Sequence, residues 1–219
     1  LPIKGLIKKT IFKQFCGGET INECDPAIAS LHAFGIGTIL DYSVEGKTKE
    51  EDFEQTTQII IQTIEKSATD KRIPFAVFKL TGIFQSELLE KAQTEAELTE
   101  EEQELFDHSK ELLIEICELA HVLQVRLFID AEESWIQTTI DQLTYEMMAR
   151  YNQKTAIIYN TFQMYRHDML ANLTEAIEAA EAKNYYLGVK LVRGAYLEKE
   201  RQKAHEDEYS EPLHVCKED

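Results

Sequence analysis

Apolar residues along the chain fall into two alternating patterns: short runs rich in Val, Ile, Leu and Phe, and longer stretches whose apolar positions recur every three or four residues. The runs cover Gly37 to Val44, Pro74 to Thr81, Val125 to Asp130, Ala156 to Thr161 and Leu187 to Val192, and each predicts a short buried strand. The stretches between them predict helices. Phe53, Ile60 and Ile64 share a helical face after the first strand, and Leu105, Leu112, Ile116, Leu119 and Leu123 do so after the second. Ile136, Ile140, Leu143 and Met147 follow the third strand, and Met169, Leu173, Ile177 and Ala180 follow the fourth, ahead of a helix end at Lys183-Asn184. Core packing accounts for every one of these stripes.

Strands that alternate with helices imply parallel pairing through right-handed crossovers, because a tight hairpin cannot reach a parallel neighbour. The fold class is α/β, read as one domain. An open doubly wound sheet and a closed barrel both fit this order, and the strand ends discriminate between them. The first strand carries Asp41, the second Lys79, the third Asp130, the fourth Asn160 with Gln163 just beyond, and the fifth Lys190 and Arg193. Singly, a strand-end Asp reads as a helix cap and a strand-end Lys as a side chain reaching for water. Polar groups at equivalent ends of all five strands point instead to a barrel, where such ends converge on one mouth; an open sheet spreads them along a line. The expected architecture is a (βα)8 TIM-type barrel, with about five βα units of the usual eight in this chain. Residues 1–35 are expected to form an N-terminal helical segment packing on the barrel, and residues 36–219 the partial barrel itself. Two open sheet edges would follow.

A formal charge of −17 argues against binding nucleic acid by phosphate neutralisation, and against holding an anionic membrane through a basic patch. The acidic stretch Thr94 to Glu104 reads as a solvated loop or helix start. Cys16, Cys24, Cys117 and Cys216 lack Cys-x-x-Cys spacing and are too sparse for a disulfide scaffold, so a reducing compartment is expected. No run approaches the roughly 18 apolar residues of a membrane span. Leu1 is not an initiator methionine and the chain stops abruptly at Cys216-Lys217-Glu218-Asp219, so it is expected to begin after processing or to be a fragment.

Several motifs lack their context. Gly35-Ile36-Gly37 leads into a strand, whereas a dinucleotide fingerprint leaves a strand and opens a helix. There is no Walker-type lysine loop, no His-Glu-x-x-His helix and no Gly-x-Ser-x-Gly elbow; His205 and His214 read as surface residues, and no metal site is expected. The segment from Leu187 to Tyr196 is more telling, because Lys190 and Arg193 interrupt an apolar strand. Burying an unpaired cation is costly, so these charges call for a carboxylate or an electron-rich cofactor edge; the bland alternative is an edge strand facing water.

Four blocks carry a resemblance to a known family: Val77-Phe78-Lys79-Leu80-Thr81, Phe128-Ile129-Asp130-Ala131-Glu132-Glu133, Asn160-Thr161-Phe162-Gln163-Met164-Tyr165 and Lys190-Leu191-Val192-Arg193-Gly194-Ala195-Tyr196. In order and spacing the chain resembles the proline dehydrogenases, flavoenzymes on a distorted (βα)8 barrel. The resemblance implies an oxidoreductase acting on CH-NH donors, in which FAD takes a hydride from L-proline to give pyrroline-5-carboxylate, and a quinone then takes the electrons in this first step of proline catabolism. It places Lys79 near the substrate carboxylate, Asp130 near substrate and flavin, and Tyr196 in the wall of the proline pocket. Gln163 would hydrogen-bond the isoalloxazine ring, Lys190 and Arg193 would contact the flavin and favour the negative charge of its reduced form, and Gly194 and Ala195 would leave room for the ring. Asp130 suits positioning better than service as a general base, since water can take the amine proton. The family occurs in bacterial cytoplasm, where peripheral association with the inner membrane is compatible with a quinone acceptor, and in mitochondria.

One departure matters. The family clamps the substrate carboxylate with an Arg-Arg pair in a Tyr-x-x-Arg-Arg-x-x-Glu-Asn motif on its last helix, and this chain contains no Arg-Arg pair. The chain alone is therefore expected to bind neither proline nor flavin tightly. Two other readings stand beside this one: a Schiff-base lyase using Lys79 or Lys190 as its amine, and a non-enzymatic acidic scaffold in which Asp130 and Lys190 form a structural ion pair.

Overall fold

The computed structural model describes residues 16–42 and 49–214. Residues 1–15 of the expected N-terminal segment, the last two positions of the first predicted strand and Cys216 lie outside the described residues. Five parallel strands, β1 (Ile39–Asp41), β2 (Phe75–Lys79), β3 (Arg126–Asp130), β4 (Ile158–Gln163) and β5 (Val189–Val192), lie side by side in chain order. A doubly wound sheet would reverse its order at a switch point. An order without reversal, built from right-handed crossovers, keeps the helices on one face and leaves the other to become a barrel interior.

The helices are α1 (Asp25–His32), α2 (Glu50–Thr69), α3 (Ser86–Gln93), α4 (Glu100–Leu123), α5 (Ser134–Tyr151), α6 (Met169–Lys183) and α7 (Leu197–Glu206). The single stripe predicted after the second strand is thus preceded by a separate helix, α3. The acidic stretch between them is a helix start. Thr99 Oγ1 accepts from the Glu102 amide at 3.2 Å, and the Glu102 carboxylate accepts from the Thr99 amide at 3.0 Å. The acidic first turn also complements the positive end of the helix dipole. α4 and α6 close on Gln124 and Asn184 in the left-handed region, at φ 55° and 56°, as Lys183-Asn184 predicted.

Strand residues alternate between two faces. Ala76, Phe78, Leu127, Ile129 and Ile158 point to the helices and form one core with Phe53, Ile60 and Ile64 of α2, Leu113 and Ile116 of α4, and Ile136 and Ile140 of α5. α6 departs from its predicted stripe. Met169, Ala176 and Ala180 are buried and Ile177 is 45% exposed, because the two small alanines, rather than the isoleucine, form the ridge that approaches the sheet. α1 packs Ile28 against Leu40 and Ile73 beneath β1, and Asp25 reaches Lys66 at 2.9 Å.

Two contacts hold β4 and β5 in place from below. The side chain of Asn152, fully buried, donates to the Ile158 and Tyr186 carbonyls at 2.8 Å each and accepts from the amides of Ile157 and Ile158. Gly188 runs so close to β4 that a Cβ there would stand 2.4 Å from the Ile158 carbonyl oxygen, which only glycine avoids.

Candidate active site at the C-terminal ends of the strands

The face turned away from the helices has an aromatic floor. Phe75 and Phe128 stack with ring centroids 4.4 Å apart, and Tyr159 meets both edge-on. One pleat further toward the strand ends come Lys79, Asp130, Thr161 and Lys190, the last two paired in register. Lys190 of β5 reaches over β4 to form an ion pair with Asp130 of β3, and its ammonium lies 5.2 Å from the centre of the Phe128 ring. Thr161 sits between them, its hydroxyl 2.9 Å from the Ile129 carbonyl and 3.4 Å from Asp130.

Lys79 donates to the Tyr196 hydroxyl at 3.0 Å. Tyr196 is held at the head of α7, which lies across the sheet mouth because its buried Glu200 accepts from the Ser134 amide and hydroxyl, at 2.7 and 2.6 Å, at the start of α5. That carboxylate caps the helix from another element. Lys199 forms an ion pair with the adjacent Glu133. These groups enclose a cavity of about 410 Å³ lined by Lys79, Asp130, Thr161, Gln163, Lys190, Ala195 and Tyr196, among others.

Behind the cavity, Glu132 connects three strand ends. It is 1% exposed; its carboxyl accepts from the Thr81 amide at 3.0 Å and from the Thr81 hydroxyl. Its backbone amide donates to Gln137, and its carbonyl accepts from Gln163 Nε2 at 2.6 Å. Burial pushes the Glu132 carboxyl up to about 7, against the opposing pull of the Thr81 bonds. Asp141 of α5 is likewise pushed by burial to about 6, although Asn160 and Gln137 both donate to it at 2.8 Å.

Of the residues singled out in sequence, Lys79, Asp130, Gln163, Lys190, Ala195 and Tyr196 meet at one cavity. Gln163 is the last residue of β4 rather than a residue beyond it, and its amide is already engaged: Nε2 with Glu132 and the Tyr165 hydroxyl, Oε1 with Arg166 at 3.2 Å. Arg193 and Gly194 are exposed and stand outside the lining, and a Cβ on Gly194 would meet only an ordinary contact with Leu197. Asp41, also exposed, is not in the lining, and Asn160 turns to the helix layer to bond Asp141. Glu132, Tyr165, Arg166 and Glu200 form the support that sequence reasoning missed. Glu132 and Tyr165 lay within the resembling blocks, but a buried carboxyl cannot be told from a solvated one by residue type.

The lining fits the ring end of a flavin in charge and shape. Three lysines, Lys79, Lys190 and Lys199, border the cavity with a flat tyrosine and a small alanine, and Lys190 suits an electron-rich edge once Asp130 shares it. Gln163 fits less well, since both hydrogens of its amide nitrogen are already donated.

The proline dehydrogenase family model matches residues 24–219. Proline dehydrogenase 1, mitochondrial, of Dictyostelium discoideum is 31% identical over 93% of this chain and 42% of its own length. The carbapenem antibiotics biosynthesis protein CarD of Pectobacterium carotovorum subsp. carotovorum is 31% identical over 86% of this chain and 50% of its own. The crystal structure of proline utilization A from Bdellovibrio bacteriovorus, inactivated by N-propargylglycine, superimposes with a TM-score of 0.81 at 18% identity, covering 98% of this chain and 24% of that one. The five parallel units are thus those of a TIM-type barrel, and the chain spans about half the length of the curated relatives it matches. With the family model matched from α1 to the last residue, the chain belongs to the proline dehydrogenase family.

Proposed function

We propose that this chain supplies one side of a site for flavin-dependent oxidation of L-proline to pyrroline-5-carboxylate. The observation that carries the reading is the convergence of Lys79, Asp130, Lys190 and Tyr196 on one cavity at the C-terminal strand ends. FAD, when bound, supplies the acceptor for the hydride leaving the carbon beside the proline nitrogen. Lys79, steadied by Tyr196, orients the substrate carboxylate, and Tyr196 walls the ring. Lys190 offers fixed positive charge to the flavin, joined by Arg193 at the rim, and Asp130 holds the Lys190 ammonium in place. Ala195 keeps the wall thin. Gln163 braces the Glu132 carbonyl and reaches a flavin only by exchanging one of its present partners. The amine proton passes to water or to Asp130.

Residues 36–219 act in this reading as part of the catalytic barrel, with residues 1–35 packed beside it. A quinone acceptor, and a cytoplasmic site peripheral to the inner membrane or else a mitochondrial one, belong to the same proposal and rest on the family. Among the described residues no helix is long and apolar enough to cross a membrane.

The test is a titration of the purified chain with FAD, followed by flavin fluorescence. Weak, saturable quenching is expected in the wild type and its loss in Lys190→Met, with neither stoichiometric flavin on purification nor proline turnover. Quenching that Lys190→Met leaves unchanged would overturn the site. The observed Asp130–Lys190 pair also supports a second reading, a purely structural ion pair. In that case Lys190→Met lowers stability and the wild type never quenches flavin. Borohydride trapping of a lysine with a carbonyl substrate would favour Schiff-base chemistry instead.

A further inference from the structure

Tyr165 lies behind the strand-end cavity, on the turn that follows β4, and is absent from the lining. It is buried, and its carbonyl accepts from the His214 amide at 2.9 Å while the next amide, of Arg166, donates to Gln163 O at 2.9 Å. Burial raises its phenol above the ordinary value, which keeps the hydroxyl neutral and its oxygen able to accept.

That oxygen is shared. Gln163 Nε2 donates to it from β4 at 2.9 Å, and the backbone amide of Tyr196 donates from the head of α7 at 3.4 Å. Two donors on one phenol oxygen compete, because each draws on the same electron density, and here the Tyr196 bond is the longer and weaker. Tyr196 immediately precedes the first turn of α7, where amides have no partner within the helix, and its own hydroxyl accepts from Lys79 at 3.0 Å. One oxygen thus joins Gln163 to Tyr196 and, through it, to Lys79.

The ordinary role of such a phenol is to satisfy nearby buried donors. Gln163 nonetheless borders the cavity with both amide hydrogens committed, so a ligand that accepts from it must displace a partner. Tyr165 is the partner more easily released. The bond to the Glu132 carbonyl is shorter, at 2.6 Å, and breaking it takes a donor from a buried carbonyl, whereas the Tyr165 oxygen keeps the Tyr196 amide.

We propose that Tyr165 is a positioning residue that couples the cofactor side of the site to its substrate wall: a group that engages Gln163 frees the Tyr165 oxygen, which then holds the Tyr196 amide more tightly and fixes Tyr196 and Lys79 in place. That this group is a flavin rests on the proposed function; the sharing of the oxygen is a property of this chain alone. The coupling is reciprocal, so a ligand that steadies Tyr196 also favours release of Gln163.

Amide hydrogen exchange at Tyr196, read by NMR on the full chain, tests the coupling first without cofactor. Tyr165→Phe, which keeps the ring, should quicken exchange there about fivefold, the worth of one ordinary hydrogen bond. Gln163→Met removes the competing donor. It should slow exchange about threefold relative to the same substitution made in Tyr165→Phe, a change at the low end of one hydrogen bond. Mere loosening of α7 by the lost Glu132 and Arg166 contacts would act alike in both backgrounds. Added FAD should slow the Tyr196 amide in the wild type and leave it unchanged in Tyr165→Phe. The proposal is overturned if Gln163→Met acts equally in the two backgrounds, or if FAD is quenched by the chain without slowing the Tyr196 amide. A chain that never quenches flavin defeats the flavin reading, and the two-background comparison then decides the shared oxygen by itself.

Discussion

Thr81 donates both its backbone amide and its hydroxyl to the carboxyl of Glu132, 51 residues further along the chain, tying the turn after Lys79 to the end of β3. The carboxyl does this at 1% exposure and with its proton affinity raised to about 7, well above the roughly 4.3 of an unfolded glutamate. The folded state therefore holds a proton that the unfolded state has lost, and stability falls as pH rises from about 4.3 to about 7. Asp141 adds a slope of the same sign that ends near its own value of about 6. Glu132→Gln keeps an acceptor oxygen for the Thr81 amide and offers its Nε2 as a donor to the Thr81 hydroxyl, and it should flatten the dependence between pH 6 and 8. Urea midpoints across that interval decide it; an unchanged slope would falsify the assignment.

Glu200 should matter more to the order of the mouth than to the core. Glu200→Ala removes both acceptors that Ser134 uses and frees α7, for an expected cost of about 2 kcal/mol. Hydrogen exchange should quicken at the first amides of α5 and throughout α7. Glu200→Gln should restore part of the protection.

Asn152 satisfies two buried carbonyls and two buried amides with one side chain. Asn152→Ala leaves them without partners, at a cost on the order of 3 kcal/mol and a fall in Tm of roughly 6–12 °C. Asn152→Asp should be no milder at neutral pH, because it turns an acceptor toward two carbonyl oxygens. Differential scanning of the three proteins gives the ranking.

Gly188→Ala sets a methyl against the Ile158 carbonyl and must push β5 away from β4 at its first residues. A loss of about 2–4 kcal/mol is expected. The amide resonances of Asn160 to Gln163 should move most, since Asn160 donates to Gly188 O at 3.0 Å. Shifts confined to residue 188 itself would show that the sheet absorbs the change.

The strands and their order were legible because buried parallel strands are nearly continuous apolar runs and because polar residues recur at their ends. Lys79, Asp130 and Lys190 could be found in this way, as each interrupts or ends such a run. Their partners could not. That Lys190 would meet Asp130 across an intervening strand depends on sheet order, and that Glu200 would cap α5 depends on where α7 lands. Periodicity also misplaced Ile177, since it weighs hydrophobicity while close helix approach favours the smaller Ala176 and Ala180. Gln163 looked like a free amide; only the fold brings Glu132, Tyr165 and Arg166 around it.

The alternation of β5 has a consequence for how such a chain can change over generations. Lys190 faces the cavity and Leu191, 58% exposed, faces the other way, because neighbouring residues of a strand point to opposite sides. Losing one residue in the connector from Asn184 to Gly188 would keep β5 paired and set Leu191 in the place of Lys190 over Asp130, while gaining one would set Val189 there. The connector thus works like a reading frame. Its letters can be rewritten within limits, but an odd change in its length garbles the site downstream.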